Sequence, residues 1–180
     1  MKRITTPLTF KKIRKLRSGD LVLISGIIYT ARDAAHKKLD EIIFKEMPLP
    51  FELKGAVIYY VGPAPAKPGR PIGSAGPTTS SRMDSFTPML LDKGLKGMIG
   101  KGCRSKEVVD SIKKNKAVYF AATGGAGALL AKKVQQCDLI AFFELGTEAI
   151  YKLKVKDFPV IVINDMYGHD LYEKVGGAAC

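Results

Sequence analysis

Two arginines occur in the same short sequence pattern, which is typical of a helix N-terminus. Arg32 lies in the run Thr30-Ala-Arg-Asp33, and Arg82 lies in the run Ser81-Arg-Met-Asp84. Both runs match the S/T-x-x-D/E capping pattern, which predicts each arginine in the first turn of a helix. The free N–H groups of a helix start, together with a guanidinium, form a two-point site for a carboxylate or phosphate. The alternative is ordinary helix capping beside a solvated arginine.

The surroundings of Arg82 favour ligand binding over simple capping. It closes a run of small residues over 69–84, in which Thr78 and its three successors supply four hydroxyl groups. Small residues let the backbone approach a ligand closely. His36 lies one helical turn after Arg32 and therefore on the same face of the predicted helix. A structural role is the alternative for this histidine.

Lys101 stands between two glycines in the run Ile99-Gly-Lys-Gly-Cys-Arg-Ser105. The run resembles a P-loop, but Leu95 and Gly102 occupy positions where the Walker pattern needs glycine and a hydroxyl residue, so nucleotide triphosphate binding is disfavoured. The turn Thr123-Gly-Gly-Ala-Gly127 lacks the spacing of a dinucleotide-binding motif. Tight packing between a strand and a helix explains the glycines of this turn at least as well as dinucleotide binding does.

The cysteines do not form a metal-binding pattern. Cys103, Cys137 and Cys180 are widely spaced and contain no C-x-x-C pair, whereas iron–sulfur motifs usually place their ligands a few residues apart. We expect semi-buried thiols at the first two positions and a frayed terminal cysteine, with no metal bound by this chain. The sequence thus supplies groups that bind carboxylates but only half of an active site.

The positive charge is concentrated in two segments. The 180-residue chain has 29 Lys+Arg and 17 Asp+Glu, a formal charge of +12, and residues 1–20 and 93–116 carry the whole excess. Such segments attract nucleic acid, an acidic protein or an anionic substrate. Nucleic-acid binding is disfavoured because no zinc finger, RNP signature or interleaved aromatic residues are present. The N-terminus has no apolar signal segment, so we expect a cytoplasmic protein that does not enter a membrane.

Alternating strand and helix patterns predict the elements that position these groups. A continuous apolar run predicts a buried strand over 20–29, and an apolar stripe predicts a helix over 31–46. The proline-rich segment 62–77 predicts an extended surface loop. Further strands and helices follow, including a helix over 125–136 and two separate strands over 149–153 and 159–163. The pattern indicates one α/β domain over 1–180 with mixed sheets.

Five runs, taken together and in this order, resemble one known family: Tyr29-Thr-Ala-Arg-Asp-Ala-Ala-His36, Tyr60-Val-Gly-Pro-Ala-Pro65, Gly73-Ser-Ala-Gly-Pro-Thr-Thr-Ser-Ser-Arg-Met-Asp84, Met98-Ile-Gly-Lys-Gly102 and Thr123-Gly-Gly125. The family is the β subunit, or C-terminal domain, of class I iron–sulfur fumarate hydratases and L(+)-tartrate dehydratases. The resemblance implies a swivelling β/β/α domain. It also implies a partner α subunit whose three cysteines hold a [4Fe–4S] cluster, so that this chain binds no metal.

The resemblance also implies roles for individual residues. The residues that would bind a small dicarboxylate substrate are Arg32, Arg82, Lys101 and Thr78, with the three cations on its carboxylates. The catalytic set would be Thr78, Lys101 and Arg82. A threonine is a weak base by itself, so Thr78 would need a carboxylate from the other subunit. His36 and Asp84 would contact these site residues rather than the substrate itself. Fumarate hydration to (S)-malate is the first expectation and dehydration of L(+)-tartrate to oxaloacetate the second; a homodimer of the isolated chain stays open.

Overall fold

A single mixed sheet of seven strands organises the protein, for which a computed structural model describes residues 1–123 and 125–176. The strands, in chain order, are β1 (Lys2–Thr5), β2 (Leu21–Thr30), β3 (Val57–Tyr59), β4 (Gly97–Gly100), β5 (Val118–Ala121), β6 (Val134–Ala141) and β7 (Ile150–Asn164). The helices are α1 (Phe10–Ile13), α2 (Asp33–Phe44), α3 (Thr87–Asp92), α4 (Lys106–Asn115), α5 (Gly127–Ala131) and α6 (Leu171–Lys174).

The sheet closes on itself through its longest strand. Strands β2, β3, β4 and β5 pair side by side in parallel. Strand β7 runs antiparallel between β5 and β2 and hydrogen-bonds to both, which completes a five-stranded ring. Strand β1 pairs with the first half of β2, from Val22 to Ser25, and β6 pairs with β7. The expected α/β class with a mixed sheet is therefore confirmed.

Side chains alternate between two apolar cores on opposite faces of the sheet. In β3, Val57 and Tyr59 belong to one core, whereas Ile58 belongs to the other. The second core is covered by helices, among them α4, which buries Val108 and Ile112. Because both faces of the central strands are buried, their sequences are continuously apolar rather than alternating.

Several local predictions are confirmed and two are wrong. The strand predicted over 20–29, the helix over 31–46 and the irregular loop over 62–77 are all present. The helix predicted over 125–136 is only five residues long, because the chain from Val134 onward pairs with β7. The two strands predicted after residue 149 are one strand of 15 residues, which continues through Pro159 opposite Leu23. In the described part of the chain, no helix is long and apolar enough to cross a membrane.

Candidate functional site

The predicted site residues lie where three parallel strands end. Arg32 follows β2 and Lys101 follows β4, and Thr78 is bonded through its backbone to Tyr60, which follows β3. Carboxyl ends of parallel strands meet at one edge of a sheet, and ligands commonly bind there. Residues separated by up to 69 positions in the sequence are thus brought to the same edge.

Backbone hydrogen bonds hold Thr78 against Lys101. The N–H of Thr78 donates to the carbonyl of Tyr60 at 2.8 Å, and the N–H of Lys101 donates to the carbonyl of Thr78 at 3.3 Å. Ser80 donates its N–H to the carbonyl of Lys101 at 2.9 Å. The approach requires a glycine at position 100, because a Cβ there would lie 1.9 Å from the Ser80 hydroxyl oxygen. The side chain of Lys101 is exposed at this edge.

A single carboxylate connects the two arginines. Oδ1 of Asp33 lies 2.7 Å from Nε of Arg82, and Oδ2 lies 3.1 Å from Nε of Arg32. Nε of Arg32 also lies 3.1 Å from Oε1 of Glu148. The structure therefore brings Arg32, Arg82, Thr78 and Lys101 into one region of the surface, although their individual roles remain predictions.

The helix-capping prediction for these arginines is wrong at both positions. Arg32 itself is the N-cap of α2, and its side chain makes no capping hydrogen bond. The hydroxyl of Thr30 instead bonds to the backbone of the chain entering β7, donating to Ala149 at 3.2 Å. Glu148 caps α2 from outside the helix, because its Oε2 accepts the N–H of Ala34 at 3.0 Å. The second motif forms a 3-10 turn over Ser80–Met83 whose N-cap is Thr79.

The electrostatics of Asp33 keep its carboxylate ionised. Partial burial by itself would raise the pKa of the Asp33 carboxyl, but its own backbone N–H and the cationic Arg32 and Arg82 hold that pKa below its usual value. Asp33 is also the first residue of α2, where the helix dipole favours a negative charge. The link between the arginines is therefore an ionic one at neutral pH.

His36 lies behind the site in an apolar environment. It is fully buried, its Nδ1–H donates to the carbonyl of Arg32 at 3.0 Å, and its ring packs edge-on against Tyr60 at 5.3 Å. Its Nε2 has no hydrogen-bond partner in the described part of the protein. Burial, assisted by the positive charge of Arg104, lowers the pKa of His36 to about 4. The neutral ring thus holds the backbone of Arg32 from behind.

Asp84 is bonded to a buried arginine that sequence analysis did not select. Arg104 donates from Nε to Oδ1 of Asp84 at 2.7 Å and from its terminal groups to the hydroxyls of Thr87 at 2.6 Å and Tyr60 at 3.2 Å. Its guanidinium carbon also lies 5.0 Å from the ring centre of Tyr119, within reach of a cation–π interaction. Asp84 is therefore anchored by Arg104, and its role in the site stays a prediction.

Comparison with known proteins identifies the family. The sequence model of one protein family, described as the fumarase C-terminus, matches residues 2–175. The chain belongs to the fumarase C-terminus family. The resemblance inferred from the five sequence runs is thereby confirmed.

Members of the fumarase C-terminus family with curated names are similar over most of this chain. Fumarate hydratase 2 of Leishmania major is 42% identical over 158 residues, which cover 87% of this chain and 28% of that protein. The anaerobic class I fumarate hydratase of Escherichia coli is 40% identical over 159 residues, covering 87% and 29%. The chain thus spans less than a third of these two enzymes. A putative L(+)-tartrate dehydratase subunit beta of Methanocaldococcus jannaschii is 40% identical over 174 residues, covering 93% and 89%.

Sequence reasoning missed three contacts of this fumarase C-terminus site. Asp33 was interpreted only as a capping residue, and neither Glu148 nor Arg104 was selected. The signal for Arg104 was its place in the basic segment, three residues after Lys101. For Glu148 no local signal exists, because its partners in α2 lie more than a hundred positions earlier in the chain.

The described residues of this family member do not form a cluster-binding site. Among residues 1–123 and 125–176, no group of three His, Cys, Asp or Glu side chains is placed to hold a metal ion. Cys137 is a half-buried free thiol whose pKa is raised to about 11 by burial. Cys103 is disulfide-bonded, so the expectation of a thiol is wrong there. Cys180 and Gly124 of the glycine-rich turn lie outside the described residues.

The two basic segments have different places in the fold. The first lines a groove of about 530 Å³ between β1 and α1, where two of its lysines are already bonded, Lys2 to Asp20 and Lys12 to backbone carbonyls. The second contributes Lys101 and Arg104 to the site, and three of its other lysines, Lys106, Lys113 and Lys114, lie on α4. Only the second segment is therefore part of the anion site.

Proposed function

We propose that this chain is the β-type component of a hydro-lyase that interconverts fumarate and (S)-malate. The observation that carries the proposal is the convergence of Arg32, Arg82 and Lys101 at one edge of the sheet, two of them joined by Asp33. The names of the fumarate hydratase relatives support the reaction class. The role of the chain is to bind the substrate's two carboxylates and to supply a residue for proton transfer.

The chemistry of the reaction calls for these side chains. Water adds across the double bond of a trans-dicarboxylate, so two negative charges must be neutralised and oriented before a proton and a hydroxyl are added. Guanidinium groups bind carboxylates through two parallel N–H bonds, which fixes orientation as well as charge. Arg32 and Arg82 suit this task, and the exposed ammonium of Lys101 adds a third, more mobile cation.

Thr78 is the candidate for proton transfer. Its backbone is held between Tyr60 and Lys101 by hydrogen bonds, so its hydroxyl is carried on an ordered segment beside the cations. A hydroxyl of ordinary pKa is a poor base and acts only when a carboxylate or other base takes its proton. We propose that a partner chain supplies that base.

The same partner, an α-type chain, would carry a [4Fe–4S] cluster as the enzyme's cofactor. The described residues of the present chain do not provide a ligand set for it, so the part assigned to this chain is limited to substrate binding and proton transfer. A cytoplasmic location stays a prediction.

Dehydration of L(+)-tartrate to oxaloacetate is the second candidate. It is favoured by the relative from Methanocaldococcus jannaschii, which is named as a separate β subunit and which this chain matches over 89% of its length. Both substrates are four-carbon dicarboxylates, so the same cations serve either. They differ in hydroxyl groups, which these cations do not distinguish.

The deciding experiment compares the chain alone with the assembled enzyme. Alone, it is expected to be folded, colourless and inactive toward fumarate and tartrate. Anaerobic assembly with a cysteine-bearing chain encoded in the neighbouring reading frame is expected to give turnover of one of the two substrates. A brown, active protein formed by this chain alone would overturn the division of labour, and an assembly that turns over neither substrate would overturn the function. Salt-sensitive retention on DNA would instead favour a nucleic-acid-binding module.

A further inference from the structure

We propose that Asp33 is a positioning residue that holds Arg32 and Arg82 as one carboxylate-binding unit. The inference rests on the function proposed above and adds a residue to its substrate-binding site. Its basis is that the two oxygens of Asp33 are divided between the two arginines, 2.7 Å from Nε of Arg82 and 3.1 Å from Nε of Arg32.

The contacts leave the binding ends of both guanidinium groups available. A guanidinium has five N–H donors, and its terminal groups form the fork that matches a carboxylate. Asp33 contacts both arginines through Nε, and no terminal nitrogen of Arg32 or Arg82 donates a hydrogen bond to any described residue. Held in this way, each arginine keeps its fork for a ligand.

Asp33 is itself well anchored, whereas Arg82 is not. Asp33 begins the 12-residue helix α2, and its charge is favoured by that helix start. Arg82 belongs to a short 3-10 turn, and its side chain is 49% exposed with Asp33 as its acidic partner. Arg32 has additional support, because Glu148 contacts it and its side chain occupies the space beside Gly62, where a Cβ would lie 3.3 Å from Cδ of Arg32. Removing Asp33 should therefore release Arg82 more than Arg32.

The negative charge of Asp33 allows a positioning role to be distinguished from a direct electrostatic effect on the substrate. An acidic residue beside an anion site weakens the attraction for a dicarboxylate. If Asp33 acted only through its charge, Asp33→Asn would improve substrate binding. If it acts by positioning, the same substitution impairs binding even though the site becomes more positive. The two effects have opposite signs.

The first test measures kcat and KM of the assembled enzyme with fumarate and with L(+)-tartrate. Misplacing a substrate-binding group by about 1 Å can cost on the order of 100-fold, so Asp33→Asn is expected to lower kcat/KM by at least about tenfold. Glu41→Gln, which removes the same charge from an exposed position of α2, is the matched control and should change kcat/KM less than about twofold. Wild-type or better kcat/KM in Asp33→Asn would overturn the proposal.

Two further variants guard against a trivial loss of folding. Asp33→Glu keeps the charge at the helix start but displaces the carboxylate, and it is expected to lower kcat/KM while the circular dichroism spectrum and melting temperature stay unchanged. In an Arg82→Lys background, Asp33→Asn should cost much less than it does alone, because the residue through which it acts is already altered. Strictly additive losses would contradict the assignment.

A second measurement does not depend on turnover. In the full chain, the Nε–H protons of Arg32 and Arg82 are expected to exchange slowly with water by NMR, and Asp33→Asn should speed exchange at both, whereas Glu41→Gln should not. If the wild-type enzyme turns over neither substrate but the exchange result holds, the proposed function fails and the positioning by Asp33 stands. If turnover is present but exchange is unchanged in Asp33→Asn, the positioning role is wrong.

Discussion

Asp84 and Arg104 form a buried ion pair in which both carboxylate oxygens are used. Nε of Arg104 donates to Oδ1 at 2.7 Å, and the backbone N–H of Ser105 donates to Oδ2 at 2.7 Å. The Arg104 side chain has no exposed surface, and that of Asp84 is 14% exposed. The pair joins the segment that carries Arg82 to the segment that carries Lys101, so it supports both from inside the protein.

Replacing Arg104 with alanine is expected to destabilise the fold strongly. Breaking a buried ion pair leaves an uncompensated charge and typically costs about 3–5 kcal/mol. Urea unfolding should show this loss in the free energy of unfolding, whereas Arg14→Ala, at an exposed arginine, should cost less than about 1 kcal/mol. Equal stability of the two variants would show that the Arg104 pair does not hold the site together.

His36 should make the stability of the protein depend on pH in the acid range. Its folded-state pKa of about 4 lies below the unfolded value of 6.5, so between these values the unfolded chain binds the additional proton. The contribution of neutral His36 is complete above pH 6.5 and is lost as the pH falls toward 4, by about 3 kcal/mol in total. Chemical unfolding of wild type and His36→Asn from pH 4 to 7 measures it. Parallel pH profiles would contradict the assignment.

Glu148→Gln should weaken the start of α2. The variant keeps an acceptor for the N–H of Ala34 but removes the negative charge from Arg32 and from the helix N-terminus, an interaction of about 0.3–1 kcal/mol. A loss of this size lowers the melting temperature by roughly 1–4 °C in a protein of this length. Glu144 and Glu148 both lie in the 3-10 helix Phe143–Glu148. Glu144→Gln removes the exposed ion pair between Glu144 and Lys38 of α2; it is the control and should leave the melting temperature unchanged.

Arg82→Lys should impair the assembled enzyme even though the positive charge is retained. A lysine cannot form the two-point bond to a carboxylate, and a charge-assisted hydrogen bond contributes about 1.5–3 kcal/mol. The expected fall in kcat/KM for fumarate or L(+)-tartrate is on the order of 10- to 150-fold. The exposed Lys113→Ala and Lys114→Ala should be tolerated. A silent Arg82→Lys with inactive lysine variants would redirect attention to segment 93–116 as a docking surface.

Elements that depend on a local apolar pattern were predicted correctly from the sequence. The prediction was wrong where pairing with a distant strand determines the secondary structure. Strand β2 and helix α2 are within three residues of their predicted limits because apolar runs and stripes determine them. Residues after Ala131 were assigned to a helix, but Val134 pairs with Val155 and Cys137 with Leu153. No local pattern reveals such a partner, so long-range pairing overrides helix propensity here.

The candidate site was predictable to a similar degree. The three cations were found because each lies in a short sequence motif, and two of them, Arg32 and Lys101, directly follow parallel strands whose ends meet at one edge of the sheet. The carboxylates that organise them were not found, because Asp33 meets Arg82 across 49 positions and Glu148 meets Ala34 across 114. Contacts between residues so far apart in the sequence depend on the closed sheet, since only the fold places the two partners together.

The closure of the sheet by β7 has a consequence for protein synthesis. The residues of β7 that pair with β2, at positions 152–161, are synthesised more than a hundred residues after β2 itself. Until then β2 and β5 each lack the same neighbour, and contacts of such high sequence separation form slowly. Co-translational folding can therefore produce the parallel strands, but the ring, and with it the Glu148 contact to Arg32, completes only after β7 has been translated.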